Sequence, residues 1–146
     1  MSFDTLFEAG STSKTIIAVT ALQLATNGLI DLDENVNTKL KDWKIPENSF
    51  TEDKEITLRQ LLTHTAGINR PDSMFISEKG KNPTLIQILK GESPTLNDPV
   101  EVCFVPGTNH QYSNLTYIII EKLIQDITGN SLSDYIREEI FLPLEM

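Results

Sequence analysis

One stretch of the sequence decides the fold: Phe7-Glu8-Ala9-Gly10-Ser11-Thr12-Ser13-Lys14. Ser11 and Lys14 are three residues apart at a predicted helix start, so both side chains lie on one face of the first turn. An amine is then within reach of a hydroxyl that is otherwise a poor nucleophile. The free N–H groups and positive dipole end of a helix start favour a developing oxyanion. Alone, Ser-x-x-Lys is common by chance and more often marks a solvated helix start.

The helix that begins here is predicted to run from about Ser11 to Asn27, where Asn27-Gly28 ends it. Its apolar residues cover almost every face. They are Ile16, Ile17, Ala18, Val19, Ala21, Leu22, Leu24 and Ala25. A helix of this kind is buried on most sides, so other parts of the protein must surround it.

Composition indicates a globular chain of one unit, residues 1–146, with 39% hydrophobic and 23% charged residues. The net charge of −9, with no Lys/Arg cluster, argues against a nucleic acid or an anionic membrane surface as partner. No apolar run approaches the roughly 18 residues of a membrane span. The first residues lack the basic start and apolar run of a signal peptide. Localisation stays open.

Metal and redox chemistry have weak support in the sequence. Cys103 is the only cysteine, so we expect no internal disulfide and a small buried hydrophobe at that position. Asp31, Asp33 and Asn35 have calcium-loop spacing, but Val36 stands where the sharp turn requires Gly. We interpret these residues as an acidic connecting loop and expect neither a metal nor a cofactor.

The rest of the pattern is mainly helical, with very little strand. Capping signals predict short helices that begin at Thr57 and Thr84 and end near Gly67 and Gly91. Longer helices are predicted from about Leu115 to Ile127, stopped by Gly129, and from Ser131 or Leu132 to Phe141, stopped by Pro143. Residues 3–8 alternate weakly as a short edge strand does, 69–82 is predicted as a loop, and 102–105 as an extended piece.

Four motifs carry a family resemblance. In chain order they are Gly10-Ser11-Thr12-Ser13-Lys14-Thr15, Leu61-Leu62-Thr63-His64-Thr65-Ala66-Gly67, Pro106-Gly107 and Tyr112-Ser113-Asn114. Together they resemble the serine β-lactamase and penicillin-binding protein superfamily. The tyrosine motif is similar to that of the class C branch, which also contains D-alanyl-D-alanine peptidases and esterases. Each motif is weak alone, and the order of all four makes the signal strong.

The resemblance implies a serine hydrolase that forms an acyl-enzyme on Ser11 and acts on a β-lactam, a D-alanyl peptide or a small ester. Lys14 then governs which groups of the site carry protons, and Tyr112 acts as the general base or as a proton relay. Asn114 hydrogen-bonds the amide of the substrate, and the Ser11 N–H supplies half of an oxyanion hole. His64 is expected to be a structural hydrogen-bonding residue, since no second ligand has metal spacing.

Plainer interpretations of the same residues remain. A tyrosine before a helix is usually a half-buried aromatic with a solvated hydroxyl. Asn114 before an apolar helix is also a normal N-cap. The alternatives to the enzyme are a non-catalytic β-lactamase-like binding domain and a helical interaction module with chance motif matches.

The third motif of the family, Lys-x-Gly or His-x-Gly, has no match after Asn114. Only ten residues precede Ser11, where the family has two or more strands. We therefore expect the helical portion of a β-lactamase-like fold that is α+β when complete, with most of the sheet missing from this chain. An apolar helix without its sheet favours self-association.

Overall fold

The computed structural model describes residue 2 and residues 5–71 and 80–146. Residues 5–9 form no regular element, and part of the predicted edge strand over 3–8 lies outside the described residues, as does most of the predicted loop over 69–82. Antiparallel pairing within the described chain is limited to two isolated bridges, Asn35 with Thr57 and Ile68 with Val102. The latter includes the start of the piece predicted as extended. The architecture is mainly helical, as predicted.

Five α-helices are described, in the order α1 to α5. They are α1 (Ser13–Thr26), α2 (Leu58–Leu62), α3 (Leu85–Lys90), α4 (Asn114–Thr128) and α5 (Leu132–Ile136). A 3-10 turn, Gly10–Thr12, leads into α1, and a second one spans Val36–Thr38. A π-helical turn, Arg137–Phe141, continues α5. None of the described helices is long and apolar enough to cross a membrane.

Helix α4 is the centre of the packing, because α1, α2, α3 and α5 all contact it. Apolar residues at helical spacing along α4 are buried against these neighbours. They are Leu115, Ile119, Ile120, Leu123 and Ile124. Burial of large side chains stabilises the fold by about 1.5–3 kcal/mol each, so α4 organises the core that holds the residues at its start.

Helix α1 is covered on one face only in the described chain. Thr20, Ala21 and Leu24 are buried, whereas Val19 is 47% and Leu22 is 44% exposed. An apolar groove of about 630 Å³ lies between α1, α4 and the α5 region, lined among others by Ile16, Ile17 and Phe141. The expectation that α1 is buried on most sides is therefore not met by the described residues alone.

Local capping signals predicted the short helices well. Thr57 and Thr84 both form complete capping boxes, with Gln60 and Gln87 as the reciprocal partners. Gly91 and Gly129 end α3 and α4 in the left-handed conformation, at φ 62° and 76°. These ends lie where the sequence predicted them, because a cap involves only residues a few positions apart.

Two predicted helix ends are wrong. Helix α2 ends at Leu62, and His64 rather than Gly67 takes the left-handed conformation next to it, at φ 57°. Gly67 is required for another reason, since a Cβ there would lie 2.4 Å from the Phe104 carbonyl oxygen. The N-cap of α4 is Ser113 and not Asn114, because the Ser113 hydroxyl accepts a hydrogen bond from the Leu115 N–H.

The acidic loop and Cys103 complete the comparison with the sequence. Asp33 binds Arg59 through two hydrogen bonds of 2.8 and 2.9 Å, and Asn35 caps the 3-10 turn at Val36–Thr38. Both side chains therefore make contacts within a connecting loop.

Cys103 is exposed, which corrects the prediction of a buried thiol. Its neighbour Val102 is fully buried instead, because alternate side chains of an extended segment face opposite sides.

One buried ion cluster fixes the loop before residue 45 to α4. Lys122 pairs with Asp126 one helical turn later and with Asp42 in the loop. The second oxygen of Asp126 accepts the Lys41 N–H at 3.0 Å. The side chains of Lys122 and Asp126 are only 7% and 9% exposed, so each compensates the buried charge of the other.

Candidate active site

Ser11 and Lys14 meet at the start of α1. Ser11 lies in the 3-10 turn Gly10–Thr12, which Gly10 opens with a φ of 52°, a conformation that favours glycine. The Lys14 Nζ donates a hydrogen bond to the Ser11 Oγ at 3.3 Å. The spacing of three residues thus produces the contact that the sequence predicted.

Tyr112 reaches the same point from a distant part of the chain. Its hydroxyl lies 3.0 Å from the Ser11 Oγ, across a sequence separation of 101 residues. The Tyr112 hydroxyl also donates to the Asn114 Oδ1 at 3.3 Å. Lys14, Ser11, Tyr112 and Asn114 therefore form one chain of hydrogen bonds, in that order.

The start of α4 holds Tyr112 in this position. Ser113 is fully buried, and its hydroxyl donates to the Asn69 carbonyl at 2.6 Å while it caps α4. Tyr112 itself remains 37% exposed and Ser11 is exposed, so a substrate has access to both oxygens. The buried Ser113 therefore holds the accessible Tyr112 in position.

Lys14 dominates the electrostatics of the site. Its Nζ lies 5.2 Å from the ring centroid of Tyr112 and 5.5 Å from that of Tyr117, both within cation–π range. The Lys14 ammonium, and then the Ser11 hydroxyl, lower the pKa of Tyr112. The phenolate form of Tyr112 is thus more accessible than that of a free tyrosine, which suits a base.

Two aromatic residues complete the site, and the sequence analysis gave neither of them a role there. Tyr117 lies one turn after Asn114, its hydroxyl donates to the Leu62 carbonyl at 3.4 Å, and burial raises its pKa. The ring of His64 lies 4.5 Å from that of Tyr112. The spacing of Tyr117 from Asn114 was the available signal, because residues i and i+3 share a helix face.

All four predicted site residues come together, and His64 makes hydrogen bonds as expected of it. The arrangement combines a hydroxyl, an ammonium donor and a phenol of lowered pKa, which is suited to transfer of a proton from Ser11. Among the residues that the structure describes, no three His, Cys, Asp or Glu side chains are grouped to hold a metal ion.

Comparison with known proteins identifies the class. The Beta-lactamase family model matches residues 1–146, and the chain belongs to this family. The sequence is 29% identical over 153 residues to the Unguisins hydrolase ungD' of Aspergillus campestris, and 30% identical over 142 residues to the protein flp of Staphylococcus aureus. These alignments cover 98% and 97% of this chain and 27% of each relative.

A solved structure agrees with this assignment. The D-amino acid amidase of Ochrobactrum anthropi, in complex with L-phenylalanine, matches with a TM-score of 0.77 at 26% identity. The match covers 100% of this chain and 39% of the amidase. The predicted superfamily and fold class, the helical portion of a β-lactamase-like fold, are confirmed. The chain spans 27% of the length of the curated relatives named above.

Proposed function

We propose that residues 1–146 form part of one serine hydrolase domain and carry its nucleophile, Ser11. One observation carries the proposal: the Ser11 Oγ lies 3.0 Å from the Tyr112 oxygen and 3.3 Å from the Lys14 Nζ. Nucleophile and base within hydrogen-bond reach, with a third group to orient them, is the arrangement that activates a hydroxyl. Membership of a family with hydrolase relatives supports the same conclusion.

The hydrogen-bond directions suggest how the proton moves. Because the Tyr112 hydroxyl donates to the Asn114 Oδ1, its oxygen is left to accept the Ser11 proton, while Lys14 donates to the Ser11 oxygen. Tyr112 acts as the phenolate: Ser11 attacks a substrate carbonyl carbon, and its proton passes to the phenolate oxygen of Tyr112. Collapse of the tetrahedral oxyanion breaks the bond to the leaving amine or alcohol, which takes that proton. Water then attacks the acyl ester through the same path and releases Ser11.

Asn114 and the backbone at Ser11 are assigned to the substrate. The Asn114 side chain lies beside the Tyr112 hydroxyl, where an amide group of a bound acyl donor is expected. The Ser11 N–H, at the start of the 3-10 turn, supplies one donor to the oxyanion. The family motif expected to assist it, Lys-x-Gly or His-x-Gly, does not occur after Asn114 in this sequence.

The substrate class is an activated carbonyl compound: a β-lactam, a D-alanyl peptide or a small ester. The amidase similarity adds D-amino acid amides as probes. The alternative is a β-lactamase-like binding domain without turnover. The two proposals differ in one respect, because only the enzyme forms a covalent bond through Ser11.

Intact-protein mass spectrometry tests this difference. The chain is incubated with a penicillin and, separately, with a fluorophosphonate, beside Ser11→Ala and the matched control Ser13→Ala. Ser13 is an exposed hydroxyl in the same turn, bonded to the Gly10 carbonyl at 2.7 Å rather than to Lys14. We expect one adduct in the wild type and in S13A and none in S11A. An adduct that survives in S11A, or its absence from the wild type with every probe, refutes the proposed acylation.

We also infer that the apolar surface of α1 associates with a second copy when the chain is alone in solution. Val19 and Leu22 are more than two-fifths exposed there, and Leu6 and Phe7 before the helix are 95% and 70% exposed. Covering such area stabilises the folded chain. Light scattering after size exclusion is expected to give a dimer that Leu22→Lys dissociates; a wild-type monomer at micromolar concentration contradicts the inference.

A further inference from the structure

The backbone on both sides of Tyr112 is attached to a single residue. The His64 carbonyl accepts the Gln111 N–H at 2.9 Å, and the His64 Nδ1 accepts the Ser113 N–H at 3.4 Å. Tyr112 lies between these two attachments. No sequence motif predicts this pairing, since 49 residues separate His64 from Ser113.

The His64 ring also contacts the phenol that these bonds support. The ring centroids of His64 and Tyr112 are 4.5 Å apart and their planes are inclined at 43°. Tyr117 lies 5.4 Å from the His64 ring at the same inclination. Because aromatic rings at these distances pack favourably, His64 limits the directions in which the Tyr112 ring can move.

The backbone conformation of His64 is one that residues other than glycine adopt infrequently. His64 adopts φ 57°, and Gly67 three residues later also has a positive φ, of 82°. The turn closes α2 as a Schellman motif, since the Thr65 N–H bonds the Gln60 carbonyl at 2.8 Å and the His64 N–H bonds the Leu61 carbonyl at 3.2 Å. A residue other than glycine in the left-handed region is uncommon and often occurs at functional sites. Here it directs both the carbonyl and the ring of His64 at the Tyr112 segment.

We propose that His64, as a neutral imidazole, is the positioning residue that holds the Tyr112 phenol against Ser11. The Ser113 N–H can only donate, so its 3.4 Å bond to Nδ1 needs a lone pair there. The Thr116 Oγ1 lies 3.0 Å from the same Nδ1, and its hydroxyl can donate to that lone pair as well. Protonation of Nδ1 would bring two hydrogens together and break this attachment. The effect of His64 on the reaction rate rests on the proposed acylation of Ser11. Its effect on the position of Tyr112 does not depend on that acylation.

The surroundings of His64 favour the neutral form. Burial, and then the charges of His110 and Lys14, lower the pKa of His64. The titratable groups that face it are these two and the phenols of Tyr112 and Tyr117. Since the folded pKa is below the ordinary value of 6.5, the attachment is complete at neutral pH. It is lost as pH falls through the folded pKa of His64.

His64→Asn and His64→Gly separate the components of this role. Asparagine and glycine both tolerate the left-handed backbone. The Asn Oδ1 occupies nearly the place of Nδ1 and still accepts the Ser113 N–H, but there is no ring and no titration. His110→Asn is the matched control, since the His110 ring lies 6.1 Å from His64 in an exposed position.

The first measurement follows tyrosinate absorbance with pH, with Tyr112→Phe to assign the signal of Tyr112. The pKa of Tyr112 should rise toward its ordinary value in H64N and further in H64G, and stay unchanged in H110N. The rate of adduct formation with the fluorophosphonate should fall about tenfold in H64N and about a hundredfold in H64G. The part of the decrease at low pH that follows protonation of His64 should disappear in H64N, whereas the dependence on the Tyr112 pKa should remain.

An unchanged Tyr112 titration in folded H64G overturns the proposal. A second measurement needs no variant: the NMR resonances of the Tyr112 ring in the wild type should follow the titration of His64 and not that of His110. Resonances that follow His110, or neither histidine, also overturn it. Absence of any wild-type adduct refutes the proposed acylation alone, because both Tyr112 measurements still report on His64.

Discussion

Two lysines on two packed helices show how one side chain serves opposite purposes. Lys122 of α4 is buried and bonded to two carboxylates, Asp126 and Asp42. Lys14 of α1 is half-buried, donates to a hydroxyl and lies over two aromatic rings. Among the described residues, no carboxylate lies within ion-pair distance of Lys14.

The two lysines differ in whether a carboxylate neutralises the charge of the ammonium group. Burial lowers the pKa of Lys122, but the hydrogen bonds that its ammonium donates to Asp126 and Asp42 outweigh this effect, so the pKa is raised and the charged form is favoured. The charge of Lys14 instead acts on Tyr112, whose pKa it lowers. A paired charge connects two parts of the fold, whereas a charge without a carboxylate polarises its neighbours.

Replacement of Lys14 should give the largest effect. Lys14→Met keeps the length of the side chain but removes the donor to Ser11, and we expect adduct formation to fall about a thousandfold. The free energy of unfolding should change by less than about 0.5 kcal/mol, because Lys14 makes no ion pair in the described chain. Probe labelling and urea denaturation measure the two quantities. A wild-type rate of labelling in K14M would remove Lys14 from the mechanism.

Replacement of Lys122 should reduce the stability of the fold without affecting the labelling of Ser11. Lys122→Met leaves the buried Asp126 carboxylate without its cation, and we expect a loss of about 3 kcal/mol in the free energy of unfolding. Urea denaturation measures it, and labelling of Ser11 should be retained under folding conditions. The double variant Lys122→Met, Asp126→Asn removes both charges and keeps the acceptor for the Lys41 N–H. It should recover at least half of the loss; no recovery would mean that packing, and not charge, explains the cost.

The pH dependence sharpens the comparison further. Lys14 lowers the pKa of Tyr112, so the phenolate should form below the ordinary value near 10, and labelling should rise with pH until that pKa is passed. In K14M the tyrosinate absorbance assigned to Tyr112 should appear at higher pH than in the wild type. In K122M it should appear at the wild-type pH. Equal midpoints in wild type and K14M would show that the lysine does not polarise the phenol.

The smallest effects concern two matched capping boxes. Thr57→Ala and Thr84→Ala each remove one cap and should each cost about 1 kcal/mol by urea denaturation. Helix α2 leads directly to His64, whereas α3 does not. We therefore expect T57A, but not T84A, to raise the pKa of Tyr112. The same titration in both variants would indicate that α2 does not support the site.

Some of these features could be predicted from the sequence, and others could not. The Ser11 and Lys14 contact follows from their spacing, and both capping boxes follow from residues three positions apart. The place of Tyr112 beside Ser11 was expected only through the family resemblance. The pairing of Lys122 with Asp42 was not predicted at all, because residues eighty positions apart have no periodicity in common.

What the sequence determined by itself was therefore local: the helices, most of their ends and the contact of Ser11 with Lys14. Only the tertiary structure decided that Ser113 caps α4, that α2 closes at His64 rather than at Gly67, and that Cys103 is exposed. The physical reason is the range of the interactions. Caps and i, i+3 contacts are settled within one turn of chain. The contacts of His64 with Gln111 and Ser113 form only when folding brings these residues together from far along the sequence.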